Sequence, residues 1–143
     1  MADKEKRMSP KKYSEYLQKV NLASISFKKY SVNSHKKRFE AHMEIDVRHE
    51  TSYKLEENDD KKAITSIKYT LTAYKKKKTE FVVKIDCLLE AILESEEPFD
   101  EDFMDIYLDR NLNYNTWPYF REFVQDATQK IGIPPLTLPF FKV

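Results

Sequence analysis

The sequence predicts an α+β fold: a four-stranded antiparallel sheet followed by a short and a long helix. Through the first two thirds of the chain, apolar and polar residues alternate. After residue 98, apolar residues recur at three- and four-residue spacing instead. The first period is typical of half-buried strands, and the second is typical of amphipathic helices. Strands first and helices last favour a sheet with one covered face.

Four alternating stretches predict the strands. In the first of them, Ala23, Ile25 and Phe27 would face the same side of the sheet. Polar turns are predicted at Asn33-Ser34 and at Asn58-Asp59-Asp60, and a lysine run at 75–78 would form the last hairpin loop. The predicted strands span residues 22–28, 39–48, 67–73 and 81–91.

Two helices are predicted after the strands. Pro98 and Asp100 open a short helix that runs to about Arg110. Asn115 or Thr116 would cap the second, longer helix. The only glycine, Gly132, would end that helix, because a residue without a Cβ tolerates positive φ. One face of the long helix would carry Trp117, Phe120, Val124, Ala127 and Ile131.

The composition bounds the class of protein. With 143 residues, 41% of them hydrophobic and 34% charged, the chain suits one domain with a single core. Residues 1–15 are expected to form a flexible basic leader or a short helix, and residues 16–143 a single domain. No apolar run is long enough to span a bilayer, and no apolar signal region is visible. With a single cysteine, these features predict a cytoplasmic location.

Residue types that support catalysis or metal binding are scarce. One glycine excludes a glycine-rich phosphate loop, and the three histidines form no ligand cluster with cysteine. Cys87 lies on the predicted apolar face of the fourth strand, so it is expected to be a buried structural thiol. We therefore predict no enzyme, no cofactor and no metal site.

The lysine run at 75–78 favours a nucleic-acid hypothesis only weakly. Four lysines can neutralise a few phosphates, but no RNA-binding motif accompanies them. A solubilising hairpin loop is the favoured interpretation, and a small RNA-binding protein remains a third alternative. The net charge of +1 gives no overall attraction to nucleic acid or membranes.

Two C-terminal motifs resemble those of the SecB export chaperone family. They are Trp117-Pro118-Tyr119-Phe120-Arg121-Glu122 and Gly132-Ile133-Pro134-Pro135-Leu136-Thr137-Leu138-Pro139. The first-strand segment Ile25-Ser26-Phe27 is also similar to that family. The resemblance extends loosely over residues 16–141, and the C-terminal motif pair is its most specific part.

The resemblance implies an ATP-independent holdase that binds unfolded or extended polypeptide, for protein export or for a dedicated client such as an antitoxin. It also implies a homo-oligomer, a dimer of dimers whose interface includes the long helix. The implied interface residues are Trp117, Phe120, Val124 and Ala127. The implied client-binding groove is lined by Met43, Ile45, Val47, Ile133, Leu136, Leu138, Phe140 and Phe141.

Two alternatives stay open beside this prediction. Burying each large apolar side chain contributes ~1.5–3 kcal/mol, so the apolar tail after Gly132 is not expected to stay exposed. It would either line a groove or close the core of its own chain. The second alternative concerns function: instead of a holdase, the protein would be a SecB-fold adapter that binds one defined partner without general chaperone activity.

Two departures from the family pattern matter. Ser24, Lys28 and Lys77 stand where the family's docking surface for the SecA motor is acidic, so docking in that mode is expected to be lost. The chain stops at Val143, where the family continues into a further helix, so one wall of the groove is expected to be missing.

Overall fold

The computed structural model describes residues 8–40, 42–75 and 80–139, with only the backbone described at Lys36. Four strands and three helices make up this part of the chain. The strands are β1 Val20–Ser34, β2 Glu44–Glu56, β3 Asp59–Tyr74 and β4 Phe81–Ser95. The helices are α1 Pro10–Leu17, α2 Glu101–Asp109 and α3 Asn111–Lys130, and a short 3₁₀ turn spans Lys36–Arg38.

The four strands form one antiparallel sheet in the order β1-β4-β3-β2. From Lys62 to Tyr74 of β3 and from Val83 to Leu93 of β4, buried positions alternate with partly or fully exposed ones. Their buried side chains define the covered face, on which α2 and α3 pack. We call the opposite side the open face. The predicted α+β architecture is therefore confirmed.

The core forms where the covered face meets the helices. Ile67, Leu71, Ile85 and Leu89 of the central strands are fully buried. Phe120 of α3 reaches the same core and is likewise fully buried. The alternation predicted for residues 67–73 and 81–91 is thus confirmed, and both strands extend beyond those limits.

The two edge strands depart from the predicted pattern. In β1 the register shifts between Leu22 and Ser24, and again between Phe27 and Lys29. The prediction that Ala23 faces inward with Ile25 is wrong, because an extra residue in a bulge interrupts the alternation. The turn predicted at Asn33-Ser34 is also misplaced, because both residues still pair with β4.

The predicted limits of the second strand are wrong at both ends. Phe39 and Met43 precede β2, which continues to Glu56. The extension contains Thr51 and Tyr53, whose β propensity is high, but its mixture of charged residues hides the alternation in the sequence. The β2–β3 connection is tight, and Asn58 adopts a φ of 63° there. Asparagine tolerates this conformation better than most residues.

The short helix begins where it was predicted, whereas the long helix begins earlier. The Asp100 side chain accepts a hydrogen bond from the Asp102 backbone N–H at 3.1 Å, which caps α2 as expected. The predicted cap of the long helix at Asn115 or Thr116 is wrong, because α3 already begins at Asn111. Only Arg110 separates the two helices, so they form one bent unit in two pieces.

Gly132 ends α3 in the predicted way, with a φ of 83°. Its backbone N–H donates to the Gln129 carbonyl at 3.1 Å, and that of Ile133 donates to the Thr128 carbonyl at 3.3 Å. This pair of bonds is a Schellman motif, which satisfies two otherwise unpaired carbonyl groups. The chain after Gly132 is thereby turned back along the helix.

Tyr69 fixes the long helix to the sheet. Its ring stacks on that of Phe120, with centroids 4.5 Å apart and an interplanar angle of 12°. Its hydroxyl donates to Asn113 Oδ1 at 2.5 Å and lies 2.8 Å from Thr116 Oγ1. All these groups are buried, so each needs a hydrogen-bond partner inside the protein.

Helix α1 packs on the bent helical unit through aromatic contacts. The rings of Tyr13 and Tyr16 lie 5.1 Å and 4.4 Å from that of Phe103. The Tyr13 hydroxyl donates to Asn111 Oδ1, and the Tyr16 hydroxyl donates to the Pro98 carbonyl. These contacts hold α1 against the α2 side of the molecule.

We expect Tyr69→Phe to lower the free energy of unfolding by about 1–3 kcal/mol, because Asn113 and Thr116 lose a buried hydrogen-bond partner. Chemical denaturation monitored by circular dichroism measures this change. The matched control is Tyr30→Phe, which removes a hydroxyl from a tyrosine that is 64% exposed. Equal stability changes in the two variants would contradict the role assigned to the Tyr69 hydroxyl.

The same residue gives the stability a pH dependence. Burial raises the pKa of Tyr69 to about 12, whereas an unfolded tyrosine titrates near 10. The folded state holds the proton more tightly, so this contribution is complete below pH 10 and is lost as the pH rises through 12. Between these two pH values, the free energy of unfolding of Tyr69→Phe should fall less steeply with pH than that of the wild type. A slope identical to the wild-type slope would contradict it.

Candidate functional site

The predicted groove residues of the second strand lie on or beside an edge of the covered face. Ile45 pairs with Ala73 and Val47 pairs with Leu71, so both point to the helix side of the sheet. Ile45 is nevertheless 43% exposed, and Val47 is partly buried against the core. Met43 precedes the strand and is also partly buried. Edge strand β2 thus carries an apolar strip that the helices cover only in part.

The chain after Gly132 forms the second predicted wall. We call residues 133–139 the tail. The Leu136 backbone N–H donates to Thr128 Oγ1 at 2.9 Å, near the end of α3. Arg121 Nε donates to the Leu138 carbonyl at 2.6 Å, and Trp117 Nε1 donates to the Pro139 carbonyl at 2.9 Å. The tail therefore runs antiparallel to α3 and is held through its backbone.

The tail closes part of its own core. Ile133 and Leu138 are each only 5% exposed, whereas Leu136 is partly buried. The side chains thus divide between the two alternatives that the sequence left open. Phe140 and Phe141, the other predicted groove residues, lie outside the described residues.

Trp117 lies between the tail and the sheet. Its ring centroid is 5.8 Å from that of Tyr69, and its indole nitrogen bonds the tail at Pro139. On β2, His49 is the partner of Tyr69, with ring centroids 6.1 Å apart. Val47 is two residues from His49 on the same face. The structure thus brings the end of the tail and the apolar strip of β2 to the same side of α3.

The implied interface residues lie against the chain's own sheet. Phe120 and Val124 are fully buried and Ala127 nearly so, while Trp117 is partly buried and bonded to the tail. Phe120 and Val124 therefore have no side-chain surface to offer to a second copy. These residues do lie on one face of α3, but the sequence pattern alone could not show whether that face packs on the chain's own core or on a second copy.

An exposed aromatic patch lies at the other edge of the covered face. Phe123 of α3 contacts Phe27 and Tyr30 of β1, with ring centroids 5.3 Å and 5.1 Å apart. Tyr30 and Tyr119 are 64% and 46% exposed. Tyr119 is four residues before Phe123, so the two are neighbours on the helix surface. We call these four residues the β1 aromatic patch. The sequence analysis missed it because the β1 bulges conceal which face Tyr30 occupies.

The open face carries two of the three positions where the family's docking surface is acidic. Ser24 pairs with Ile92, whose side chain points away from the helices, and Lys28 makes an ion pair with Glu90 at 3.9 Å. Both residues are exposed. Lys77 lies outside the described residues.

The buried thiol of Cys87 is not a reactive group in its present surroundings. Cys87 is on the covered face of β4, and its burial raises the pKa of the thiol to about 12. A thiol with such a raised pKa is almost entirely protonated at neutral pH, which suppresses its nucleophilicity. Across residues 8–40, 42–75 and 80–139, no three His, Cys, Asp or Glu side chains are grouped as a metal site would require.

None of the helices in the described residues has both the length and the apolar character needed to cross a membrane.

The fold has a clear counterpart among solved structures. It superposes on the Mycobacterium tuberculosis Rv1957 SecB-like chaperone, solved in complex with a ChAD peptide from the Rv1956 HigA1 antitoxin. The TM-score is 0.79 at 18% sequence identity, and the match covers 97% of this chain and 99% of that one. The chain has a SecB-like fold.

The other comparisons add little to this SecB-like fold. A protein of unknown function from Streptococcus agalactiae matches with a TM-score of 0.40 and 16% identity over 85% of this chain and 97% of that one. A similarity of that size carries no argument. No protein-family model and no curated protein matches the sequence. The resemblance in the C-terminal motifs and the agreement of the whole fold therefore carry the assignment.

We expect Thr128→Val to loosen the tail while preserving the shape of the buried side chain. The variant removes the acceptor for the Leu136 N–H and should lower the free energy of unfolding by about 1–3 kcal/mol. Hydrogen exchange should show faster exchange at Leu136 than in the wild type.

The control for this prediction is Thr137→Val, since Thr137 is exposed in the same tail. Unchanged exchange at Leu136 in Thr128→Val would show that the hydroxyl does not hold the tail.

Proposed function

We propose that the protein is an ATP-independent holdase-type chaperone that binds unfolded or extended polypeptide. Clients would bind along the covered-face edge of β2 and the tail, with Met43, Ile45, Val47 and Leu136 as accessible apolar contacts. Ile133 and Leu138 would support this surface from beneath. Protein export and binding of a dedicated client, such as an antitoxin, would be two uses of the same activity.

The single observation that carries the proposal is the exposure of Ile45 at the β2 edge of the covered face. An apolar side chain at the edge of a helix-covered sheet, beside a tail fixed by its backbone, offers an extended surface for apolar residues. An extended client can also pair its backbone with an edge strand, and among the described residues β2 pairs with β3 alone. This combination favours recognition of chain conformation over recognition of one sequence.

The solved neighbour supports a polypeptide ligand in general terms. Rv1957 is described as a SecB-like chaperone and was solved with a peptide from an antitoxin. The shared fold extends over nearly all of both chains, so the elements that would present a client are available here. At 18% identity the likeness does not carry over a particular client.

The second candidate is an adapter that uses the same surface for one defined protein. It is favoured by the small size of the apolar strip, since Val47 and Met43 are already partly buried. A holdase suppresses aggregation of unrelated unfolded proteins, whereas an adapter does not. This difference separates the two candidates.

A homo-oligomer, with a dimer of dimers as the leading arrangement, is part of the proposal. The β1 aromatic patch replaces the buried stripe of α3 as the proposed contact surface between copies. It lies next to the outer edge of β1, which pairs only with β4 among the described strands. Exposed edges of this kind are commonly closed by a second chain.

Docking of the SecA motor in the family's usual mode is not part of this proposal. Ser24 is neutral, and Lys28 brings a positive charge to the open face. A basic docking segment would be repelled from this region rather than attracted. A client-binding role on the covered face does not depend on that partner.

We expect Ile45→Glu to weaken suppression of aggregation by at least about fivefold, because a charge on the apolar strip disfavours burial of client side chains. The measurement is light scattering of two unrelated unfolded proteins at increasing chaperone concentration. Since Ile45 is already 43% exposed, the stability of the fold should change little.

The matched control is Leu55→Glu. Leu55 lies on the same strand and face and is 39% exposed, but it is ten residues away from Ile45. Its suppression of aggregation should stay near that of the wild type. Equal losses in the two variants would refute the placement of the site, and no suppression by the wild-type chain would favour the adapter.

The proposed contact between copies predicts a change in native mass. Tyr30→Asp combined with Tyr119→Asp should reduce the mass measured by sedimentation, because two exposed rings of the β1 aromatic patch become charged. Tyr114→Asp is the control at another exposed tyrosine of α3. A wild-type chain that sediments as a monomer would contradict the oligomer.

A further inference from the structure

We infer that the open face carries a second binding site, for an acidic extended peptide of a partner protein that contains an apolar residue. The site is a concavity of about 400 Å³ between β1, β4 and β3, bordered by Lys29, Lys68 and Lys84. It lies on the opposite side of the sheet from the proposed client surface. The inference therefore goes beyond the proposed function and does not depend on it.

The strand register places the three lysines around one apolar side chain. Lys29 pairs with Leu88, and Leu88 pairs with Lys68, so these three lie in one row across the sheet. Strands are about 4.8 Å apart, which places the Cα atoms of Lys29 and Lys68 about 10 Å from each other. Lys84 is four residues along β4 from Leu88, about 13 Å away on the same face.

The concavity carries a net positive charge. Lys29, Lys68 and Lys84 are exposed, and none of them takes part in an ion pair with another described residue. Asp86 is the one acidic residue that borders the concavity, and it accepts a hydrogen bond from Thr70 Oγ1 at 3.0 Å. Glu50 lies opposite Lys68 on β2, so three lysines stand against two carboxylates and leave a local excess of positive charge, centred on Lys29 and Lys84, that suits acidic side chains.

The floor of the concavity also offers an apolar contact to a bound peptide. Leu88 is partly exposed and also borders a second concavity of about 250 Å³, which continues toward β2 past Ser52 and Ser66. Glu50 is the cross-strand partner of Lys68 and borders this second concavity, so it would repel a carboxylate on the β2 side of Lys68. A fitting peptide thus places its acidic residues over the three lysines and an apolar residue over Leu88.

A peptide fits these dimensions better than a nucleic acid does. Nucleic-acid surfaces follow a phosphate backbone with a longer basic stripe or stack bases on aromatic rings. Here the positive region is only about 10–13 Å across, and its centre is a leucine. In an extended peptide, alternate side chains project to the same side about 6.8 Å apart, so two acidic residues can reach two of the lysines.

The test uses the full chain and a fluorescent peptide of about ten residues in which every second position is alternately glutamate and leucine, with serine between them, so that both face the same side of the extended peptide. A peptide with glutamine in place of glutamate is its neutral counterpart. Fluorescence anisotropy at about 50 and about 300 mM salt should show tighter binding of the acidic peptide, and that binding should weaken at high salt. Lys29→Glu combined with Lys68→Glu should lower its affinity about tenfold or more.

The matched control is Lys54→Glu combined with Lys62→Glu. These lysines lie on the same face of β2 and β3, but they do not border the concavity. The control and Ile45→Glu should keep the affinity within about twofold of the wild type. Should charge reversal unfold the chain, Lys29→Ala combined with Lys84→Ala gives the same comparison with a smaller electrostatic change.

Three results would overturn the inference. One is equal binding of the acidic peptide by the wild type and the Lys29/Lys68 variant. Another is complete displacement of the peptide by an equal concentration of single-stranded oligonucleotide, which would assign the surface to nucleic acid. The third is salt-sensitive self-association of the wild type that the Lys29/Lys68 variant loses, which would make a second copy the occupant. Suppression of aggregation by the Lys29/Lys68 variant should equal that of the wild type in every case.

Discussion

The buried contact between Tyr69 and α3 determines where the other functional elements lie. Tyr69 is on a central strand, and its ring and hydroxyl together fix both the distance and the rotation of the helix. With that rotation, Trp117 and Arg121 point toward one side and hold the tail, while Phe123 points toward β1. Small shifts of α3 would therefore change the apolar strip and the aromatic patch together.

The sheet separates two kinds of surface because successive residues of a strand face opposite sides. On the covered face the exposed edge is apolar at β2 and aromatic at β1, and such surfaces bind other apolar groups with little sequence preference. On the open face lysines, hydroxyls and carboxylates alternate around Leu88, so charge decides which partner fits. One thin layer can thus carry a broad client surface and a selective partner surface without mutual obstruction.

The central elements could be predicted from the sequence, whereas the edges could not. The strands around Leu71 and Ile85 alternate cleanly because both neighbours and the helices bury the same face of each. Gly132 was also predictable, since its positive φ suits a residue without a Cβ. The bulges of β1 and the extension of β2 depend on pairing between distant segments, which local periodicity does not encode. The same limitation explains why the buried stripe of α3 was interpreted as an interface and why Tyr30 was overlooked.

The divided burial of the tail limits how tightly one chain could hold a client. Ile133 and Leu138 are already committed to the core, so they cannot add new apolar contacts. The contacts left in the described residues are few, and each contributes about 1.5–3 kcal/mol at most before the cost of ordering the client. A single copy would then bind weakly and release quickly. Several copies held together would raise the effective concentration of these short surfaces and allow one unfolded chain to bind at several points. The proposed holdase activity therefore depends on the proposed oligomer, because a client is retained only when several copies present the small apolar strip together.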